Sequence, residues 1–406
     1  MASFKKIPAN NKQGYVWVCI KDGPPDPVTG KRNQIKRRGE TKKEAEARVD
    51  QVIDSLVDHG IDEKKIRNLT FKKVAEEWID TYSRGDVKPG TIRLRKNSIS
   101  TLLKYIGAVN IDKIAPKTHQ EILNDLHNQG YSKPTIEGVH VTANLIYKHA
   151  IKEKYRKDNP AAGAVIPVRR RTVEEIENNP IEEKCLEKHE LAEFLDAARK
   201  HGLDLDIETF YLLAFSGMRL GELLALKWTD VDFKAGRIRV TKTLYNEKNN
   251  MREYELLTPK TDGSIREFDV DPAVMKLLED HKKNQTKIKM ATRHLLSEYH
   301  DGNFVFARDN GWPLVHKNIA IRMQRLLDKT SIRKAATPHI FRHTHISMLA
   351  EAGVDLSTIM KRVGHDDPKT TLQIYTHVTE KMQKDAAQKV NTYFADILKG
   401  PNLQGM

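Results

Sequence analysis

The 406-residue sequence predicts a mainly α-helical chain with small β elements, an α+β protein of three domains. Three observations lead there. After residue 69, apolar residues recur mostly at i, i+3, i+4 and i+7, the spacing of amphipathic helices. Alternation of apolar and polar residues is confined to two short regions, one near the start and one within 236–271. Asn159-Pro160 ends the first helical run, and a polar stretch follows before the second. A chain this long also exceeds what one hydrophobic core ordinarily serves.

Residues 1–65 read as a β-rich module closed by a helix. GYVWVCIKD is a strand, GPPDPVTG is turn chemistry, and KRNQIKRRGE is a returning strand. That strand carries Lys31, Arg32, Lys36, Arg37 and Arg38 with no acidic residue among them. Thr41 is placed to cap the helix KKEAEARVDQVIDSL, whose Ala45, Val49, Val52 and Leu56 share a face. A solvated basic strand would look the same as one laid into a DNA groove; the rest of the chain favours the groove.

Residues 69–165 predict a bundle of four short helices. Phe71, Val74, Ala75, Trp78, Ile79 and Tyr82 mark the first, with Thr70 as its cap. Ile99, Leu102, Leu103 and Ile106 mark the second, behind a basic surface that includes Arg93, Arg95 and Lys96. Ile122, Leu123 and Leu126 mark the third; Ile136, Val139, Ala143, Ile146, Tyr147 and Ala150 mark the fourth. Residues 166–184, with Arg169, Arg170 and Arg171, are expected to form an extended linker. Residues 185–398 then form the larger domain, helical apart from a β-insert expected to turn at Asp262-Gly263.

Charge narrows the function. Lys+Arg 69 against Asp+Glu 55 gives a formal net charge of +14, a field that attracts polyanions. The two cysteines, Cys19 and Cys185, fall in different predicted domains; that argues against a disulfide framework and suits a reducing cytoplasm. MASFKK is followed by no apolar segment of the signal-peptide kind, and no apolar run approaches the roughly 20 residues that cross a bilayer. A cytoplasmic protein without membrane contact is expected.

The chemistry-bearing residues cluster in three segments of the larger domain. In SGMRLGELLALKW (216–228) Gly217 breaks one helix and Arg219 opens the next, anchored by Leu220, Leu223, Leu224 and Trp228. Glu222, three residues on, shares a face with Arg219 and is placed to hold its guanidinium. In TPHIFRHTHISMLAEAG (337–353) His339 and Arg342 share a face near a helix N-terminus, where backbone N–H groups favour an anion. His339 and His343 have the spacing of the zinc-protease helix, but Ile340 stands where that helix needs a glutamate and Arg342 would set a cation beside the metal. No metal is expected, and His343 and His345 read as structural or surface residues. In LSTIMKRVGHDDPKTTLQIYTHV (356–378) Gly364 ends a helix, His365 follows on the turn, and Asp367-Pro368 opens the helix that carries Tyr375.

In order, Arg219, Lys260, His339-x-x-Arg342, Gly364-His365 and Tyr375 resemble the catalytic set of the tyrosine recombinases, the phage-type integrases. The resemblance spans 185–398 with every catalytic position filled. Residues 69–165 are similar to that family's helical core-binding domain, and residues 1–65 to the three-stranded arm-binding domain of conjugative-transposon integrases. It implies a site-specific recombinase of a mobile element that cuts and rejoins DNA through a 3′-phosphotyrosyl intermediate. Tyr375 would be the nucleophile, Arg219 and Arg342 the clamp on the non-bridging oxygens, and His339 the general base. Lys260 would protonate the leaving 5′-hydroxyl, His365 would bind a phosphate oxygen, and Glu222 would order Arg219. No nucleotide or metal cofactor is implied. The implied partners are double-stranded DNA at core-type and arm-type attachment sites, a homotetramer on synapsed DNA, and accessory DNA-bending or excisionase proteins in a bacterial nucleoid.

Two alternatives share parts of this pattern. A type IB topoisomerase would relax supercoils with similar chemistry, but the separate basic N-terminal module favours the recombinase. A non-catalytic DNA-binding protein on the same scaffold would not need the filled catalytic set. In the tail, Ala387, Val390, Phe394, Ile397 and Leu398 form one apolar helical face, expected to pack either on its own catalytic domain or on a neighbouring subunit.

Overall fold

The computed structural model describes residues 2–11, 13–25, 32–59, 69–169, 185–259, 262–365, 368–369, 371–376 and 378. Lys31, Arg170, Arg171, Lys260, most of the expected linker and the whole 380–398 tail lie outside the described residues. The chain divides into two compact units, residues 1–172 and 173–406.

The first unit begins with an antiparallel sheet of β1 (Ser3–Pro8), β2 (Tyr15–Asp22) and β3 (Gln34–Gly39), in the order β1-β2-β3. Register runs from Ser3 opposite Ile20 to Pro8 opposite Tyr15, and from Trp17 opposite Gly39 to Asp22 opposite Gln34. Helix α1 (Lys42–His59) covers one face, and Thr41 Oγ1 accepts from Glu44 N at its start. Cys19 and Ile35 meet Ala45, Val49 and Val52 in a small core, and Lys21 ties β2 to α1 through Asp50 at 2.7 Å and Glu46 at 2.8 Å.

A separate core is built by α2 (Phe71–Ser83), α3 (Pro89–Ile106), α4 (Pro116–Asn128) and α5 (Lys133–Lys152). Proline opens α3, α4 and α5 in their first turns, where its missing N–H has no helical partner to lose. Buried Arg156 closes the bundle, donating to Ile111 O at 2.7 Å and to Asp158 O at 2.6 Å.

The second unit contains α6 (Lys188–His201), α7 (Asp206–Ser216), α8 (Leu220–Leu224), α9 (Pro272–Thr292), α10 (His316–Leu327), α11 (Ile340–Glu351) and α12 (Leu356–Val363). Phe194, Phe210 and Phe341 pack ring to ring at its centre, with centroids 5.1–5.7 Å apart. The β-insert lies between α8 and α9: β4 (Val231–Asp232), β5 (Arg237–Val240), β6 (Thr243–Tyr245), β7 (Glu255–Leu257) and β8 (Arg266–Asp269).

Two expectations are corrected here. Asp262-Gly263 does turn, as a 3-10 turn over Asp262–Ser264, but the strands it separates do not pair with each other. Pairing is nested: β5 with β8, and β6 with β7 inside them. Alternation fixes which side chains face inward and leaves open which strand is the neighbour. The helix after Arg219 is also shorter than its apolar spacing suggests; α8 ends at Leu224, and Trp228 begins a 3-10 turn of its own.

Candidate active site

Gly217, Arg219, Arg342 and His365 are brought together by two left-handed helix ends. α7 stops at Gly217 with φ +63°, and a Cβ there would fall 2.8 Å from His345 Cδ2. α12 stops at Gly364 with φ +69°, and a Cβ there would meet Gly263 O at 2.9 Å. Both positions need glycine for conformation and for space.

Arg342 is fully buried on the first turn of α11. Its guanidinium donates to Gly217 O at 2.8 Å, to Val363 O at 2.5 Å and, through Nε, to His365 Nε2 at 3.1 Å. Burial first, and then Arg219, press against its charge. Three acceptors hold that charge in a place where water cannot.

Arg219 precedes α8 as its N-cap. Its Nη1 donates to Glu222 Oε1 at 2.8 Å and its Nη2 to Gly364 O at 3.3 Å, while its backbone N–H donates to Glu222 Oε2 at 3.0 Å. Glu222 is 3% exposed and also receives Arg266 Nη2 at 2.8 Å. Burial alone would raise the Glu222 pKa; Arg266 and then Arg219 more than offset it, so the carboxylate is held charged below its usual range.

Arg266 itself was not among the residues singled out from sequence. It is buried on β8 and donates to Arg362 O at 2.8 Å and to Ser264 O at 3.0 Å, joining Glu222 to the end of α12 and to the turn of the β-insert. On β8, Arg266 and Phe268 face the core while Glu267 and Asp269 are exposed, so the period-2 pattern did mark Arg266 as inward.

His365 is the hub. With Arg342 Nε as donor, Nε2 is the unprotonated nitrogen, and the Nδ1 proton points to Thr371 Oγ1 at 2.6 Å. Burial, followed by Arg342 and Arg219, pushes its pKa down to about 3. In this arrangement Nε2 faces Arg342 and Nδ1 faces Thr371.

His339 caps α11 and stands edge-on to His343, ring centroids 4.7 Å apart. Desolvation by its surroundings, then His343, Arg342 and Arg219, push its pKa down to about 4, although the residue itself is exposed. It is neutral at pH 7 and able to take a proton. His345 belongs to the framework, as expected: Ala214 O lies 2.9 Å from its Nδ1, and its Nε2 accepts from Arg362 at 3.0 Å. Tyr375 lies in a helical stretch, 371–376, half-buried against Ile346, Ala350, Ile359, Val363 and Val378. Lys260, two residues before the Asp262–Ser264 turn, lies outside the described residues.

Among the expected DNA-contacting residues of the first unit, Lys36 and Arg38 are exposed on β3, and Arg37 is half-buried on the opposite side of the strand. Arg32 is forked onto Asp22, at 2.8 and 2.7 Å. Arg93 and Lys96 are exposed on α3, Arg95 donates to Thr142 Oγ1 at 3.1 Å, and Arg169 is exposed. Among the described residues, no three His, Cys, Asp or Glu side chains are grouped to hold a metal, and no helix is long and apolar enough to cross a membrane.

Two arginines converging on one helix end, with neutral histidines beside them and a tyrosine on the following helix, define a DNA breaking-and-rejoining enzyme of the tyrosine recombinase class. Comparison with known proteins agrees. Residues 184–382 match the phage integrase family, and residues 70–127 match the phage integrase N-terminal SAM-like domain. The integrase of Staphylococcus phage L54a is 30% identical over 80% of this chain and 94% of its own. A tyrosine recombinase XerC-like protein of Caldanaerobacter subterraneus subsp. tengcongensis is 28% identical over 97% of this chain and 100% of its own. The Tn1549 transposon integrase, solved in complex with transposon right end DNA, shares the fold at 22% identity with a TM-score of 0.60, over 78% of this chain and 100% of that one. The chain belongs to the phage integrase family and is a site-specific recombinase of mobile elements. The topoisomerase and non-catalytic alternatives are not favoured.

Proposed function

We propose that Tyr375 Oη gives its proton to His339 and attacks a DNA phosphodiester, forming a 3′-phosphotyrosyl bond as the 5′-oxygen leaves and takes a proton from Lys260. A 5′-hydroxyl from the partner duplex then attacks the same phosphorus, returning its proton to Lys260, and Tyr375 leaves and takes its proton back from His339. The bond energy is conserved in the covalent link, so the cycle needs no nucleotide. Arg219 and Arg342 hold the non-bridging oxygens in the role a metal fills elsewhere. The carrying observation is the fixed pair Arg219 and Arg342, both tied to the Val363–His365 helix end. An entering phosphate would offset those cations and raise His339 from about 4 toward the range of a working base.

The rest of the assembly follows from this chemistry. Residues 1–65 would form the arm-type DNA-binding domain, 69–165 the core-binding domain, 166–184 the linker, and 185–398 the catalytic domain with its tail helix. Lys31, Arg32, Lys36, Arg37, Arg38, Arg93, Arg95, Lys96, Arg169, Arg170 and Arg171 would contact phosphates. Exchange of four strands calls for four copies on two duplexes, in a cytoplasmic, nucleoid-associated complex that accessory DNA-bending or excisionase proteins can remodel.

A nicked suicide duplex carrying attachment-site DNA tests the chemistry. The wild-type chain is expected to give a denaturation-stable adduct in the presence of EDTA, and Tyr375→Phe to bind DNA without one. An adduct from Tyr375→Phe, or cleavage that needs added magnesium, overturns the reading.

A further inference from the structure

Thr371 is fully buried, yet it stands on the helical stretch that carries Tyr375, one turn before it. A threonine in a helix commonly satisfies its hydroxyl by bonding to nearby backbone. Here the oxygen lies 2.6 Å from His365 Nδ1 across the turn. Arg342 Nε always carries its proton, so its 3.1 Å contact makes His365 Nε2 the acceptor. The imidazole proton must then sit on Nδ1, and the Thr371 oxygen is its acceptor. Without that oxygen the Nδ1–H of this half-buried ring would lose its acceptor, or would move to Nε2 and point at the Arg342 N–H.

We propose that Thr371 is a positioning residue for strand cleavage: its hydroxyl accepts the Nδ1 proton of the His365 tautomer that Arg342 selects, and so ties the Tyr375 helix to the phosphate clamp. Arg342, His365, Thr371 and Tyr375 then form one mechanical series. Gly217 O and Val363 O hold Arg342 from elsewhere in the unit, and a nucleophile helix that swings away would leave His365, the third acceptor, without its Nδ1 partner. This rests on the reading that Arg342 and Tyr375 act on the same phosphate.

The test compares Thr371→Val, which keeps the shape and removes the acceptor, with Thr371→Ser, which keeps the hydroxyl. Three quantities are read: the single-turnover rate of adduct formation on a suicide duplex, DNA affinity by mobility shift, and the His365 tautomer from two-bond 1H–15N spectra. In the wild type, His365 is expected as the Nδ1–H form. Thr371→Val is expected to cleave about tenfold or more slowly, as an unpaired N–H predicts, with unchanged DNA affinity and loss of the Nδ1–H signature. Thr371→Ser is expected to restore both rate and tautomer. Wild-type cleavage by Thr371→Val overturns the proposal, and so does a Thr371→Ser variant as slow as Thr371→Val, which would make the methyl group the important part. Should Thr371→Val fail to fold, an Nε2–H imidazole in the wild type or in Thr371→Ser overturns it. Tyr375→Phe separates the two levels. If that variant still forms adduct, the site reading fails; if it is dead while Thr371→Val cuts normally, only the role of Thr371 fails.

Discussion

Glu222→Gln should cost stability and cleavage together, and a second substitution should separate the two. The carboxylate is 3% exposed and meets Arg266, 5% exposed, at 2.8 Å. At that distance and an effective dielectric of about 20, the gross attraction is on the order of 6 kcal/mol, much of it offset by desolvation of both ions. Its other partner, Arg219, is 36% exposed, so that pair is screened and adds little to stability. Removing the carboxylate strands Arg266 as a buried cation, which costs roughly 3–5 kcal/mol. In a unit of this size the melting temperature should fall on the order of 10 °C. Replacing both members with apolar residues, Glu222→Leu with Arg266→Met, removes the stranded charge and should recover most of that loss. Cleavage should not recover, because Arg219 still lacks the acceptors that aim Nη1 and anchor its backbone N–H. Scanning calorimetry gives the first quantity and suicide-duplex adduct formation the second. If the double variant regained cleavage together with stability, Glu222 would be a structural ion alone and the argument for its action on Arg219 would be wrong.

Gly364→Ala should destabilise by about 2 kcal/mol or more, since a left-handed residue would gain a Cβ 2.9 Å from Gly263 O, and it should slow cleavage by moving the carbonyl that receives Arg219; a melting temperature equal to the wild type would refute this. His119 and His345 are buried and pushed down to about 4, chiefly by burial, so each is neutral when folded and near 6.5 when unfolded. Their stabilisation is complete above pH 6.5 and drains away as pH falls toward 4, by about 2 kcal/mol each at pH 5. The two histidines belong to different units, so thermal melts should fall for both between pH 7 and pH 5, and a flat profile would contradict the burial argument. A fragment of residues 1–65 should bind attachment-site DNA alone, and Lys36→Ala or Arg38→Ala should each lower the slope of log affinity against log salt by about one; an unchanged slope in fluorescence anisotropy would remove that strand face from the interface.

The helices were legible because burial imposes a period, and that period is written in the residues themselves. Phe71, Val74, Ala75 and Trp78 predicted α2 and are its buried face. Ile359 and Val363 did the same for α12, with Gly364 as its stop. Strand pairing was less legible, since β5 finds β8 across an intervening hairpin and alternation carries no label for the partner. Within the site, neighbours on one helix turn could be paired on sight, as Arg219 was with Glu222. Contacts such as Arg219 to Gly364 O or Arg342 to Gly217 O join backbone carbonyls to side chains more than a hundred residues away, and a carbonyl has no letter in the sequence.

Arg266 was the residue that pattern could have yielded and did not. An arginine at the same parity as Phe268 on a strand with a buried face must find an acceptor inside, and Glu222 is the acidic residue that receives it. The consequence reaches the chemistry. Arg219, Arg266 and Arg342 share this region, and Glu222 is the carboxylate bonded to the first two, while Arg342 is held by carbonyls and a neutral imidazole. Carbonyl dipoles satisfy hydrogen bonds without cancelling charge, so among the described residues the site carries a surplus of positive charge that burial makes costly. A fold that needed only stability would have neutralised it or replaced it with apolar side chains. On the proposed reading, what relieves the surplus is an anion presenting oxygens between Arg219 and Arg342, and a phosphodiester, which gains negative charge as it becomes five-coordinate, would relieve it most in the transition state.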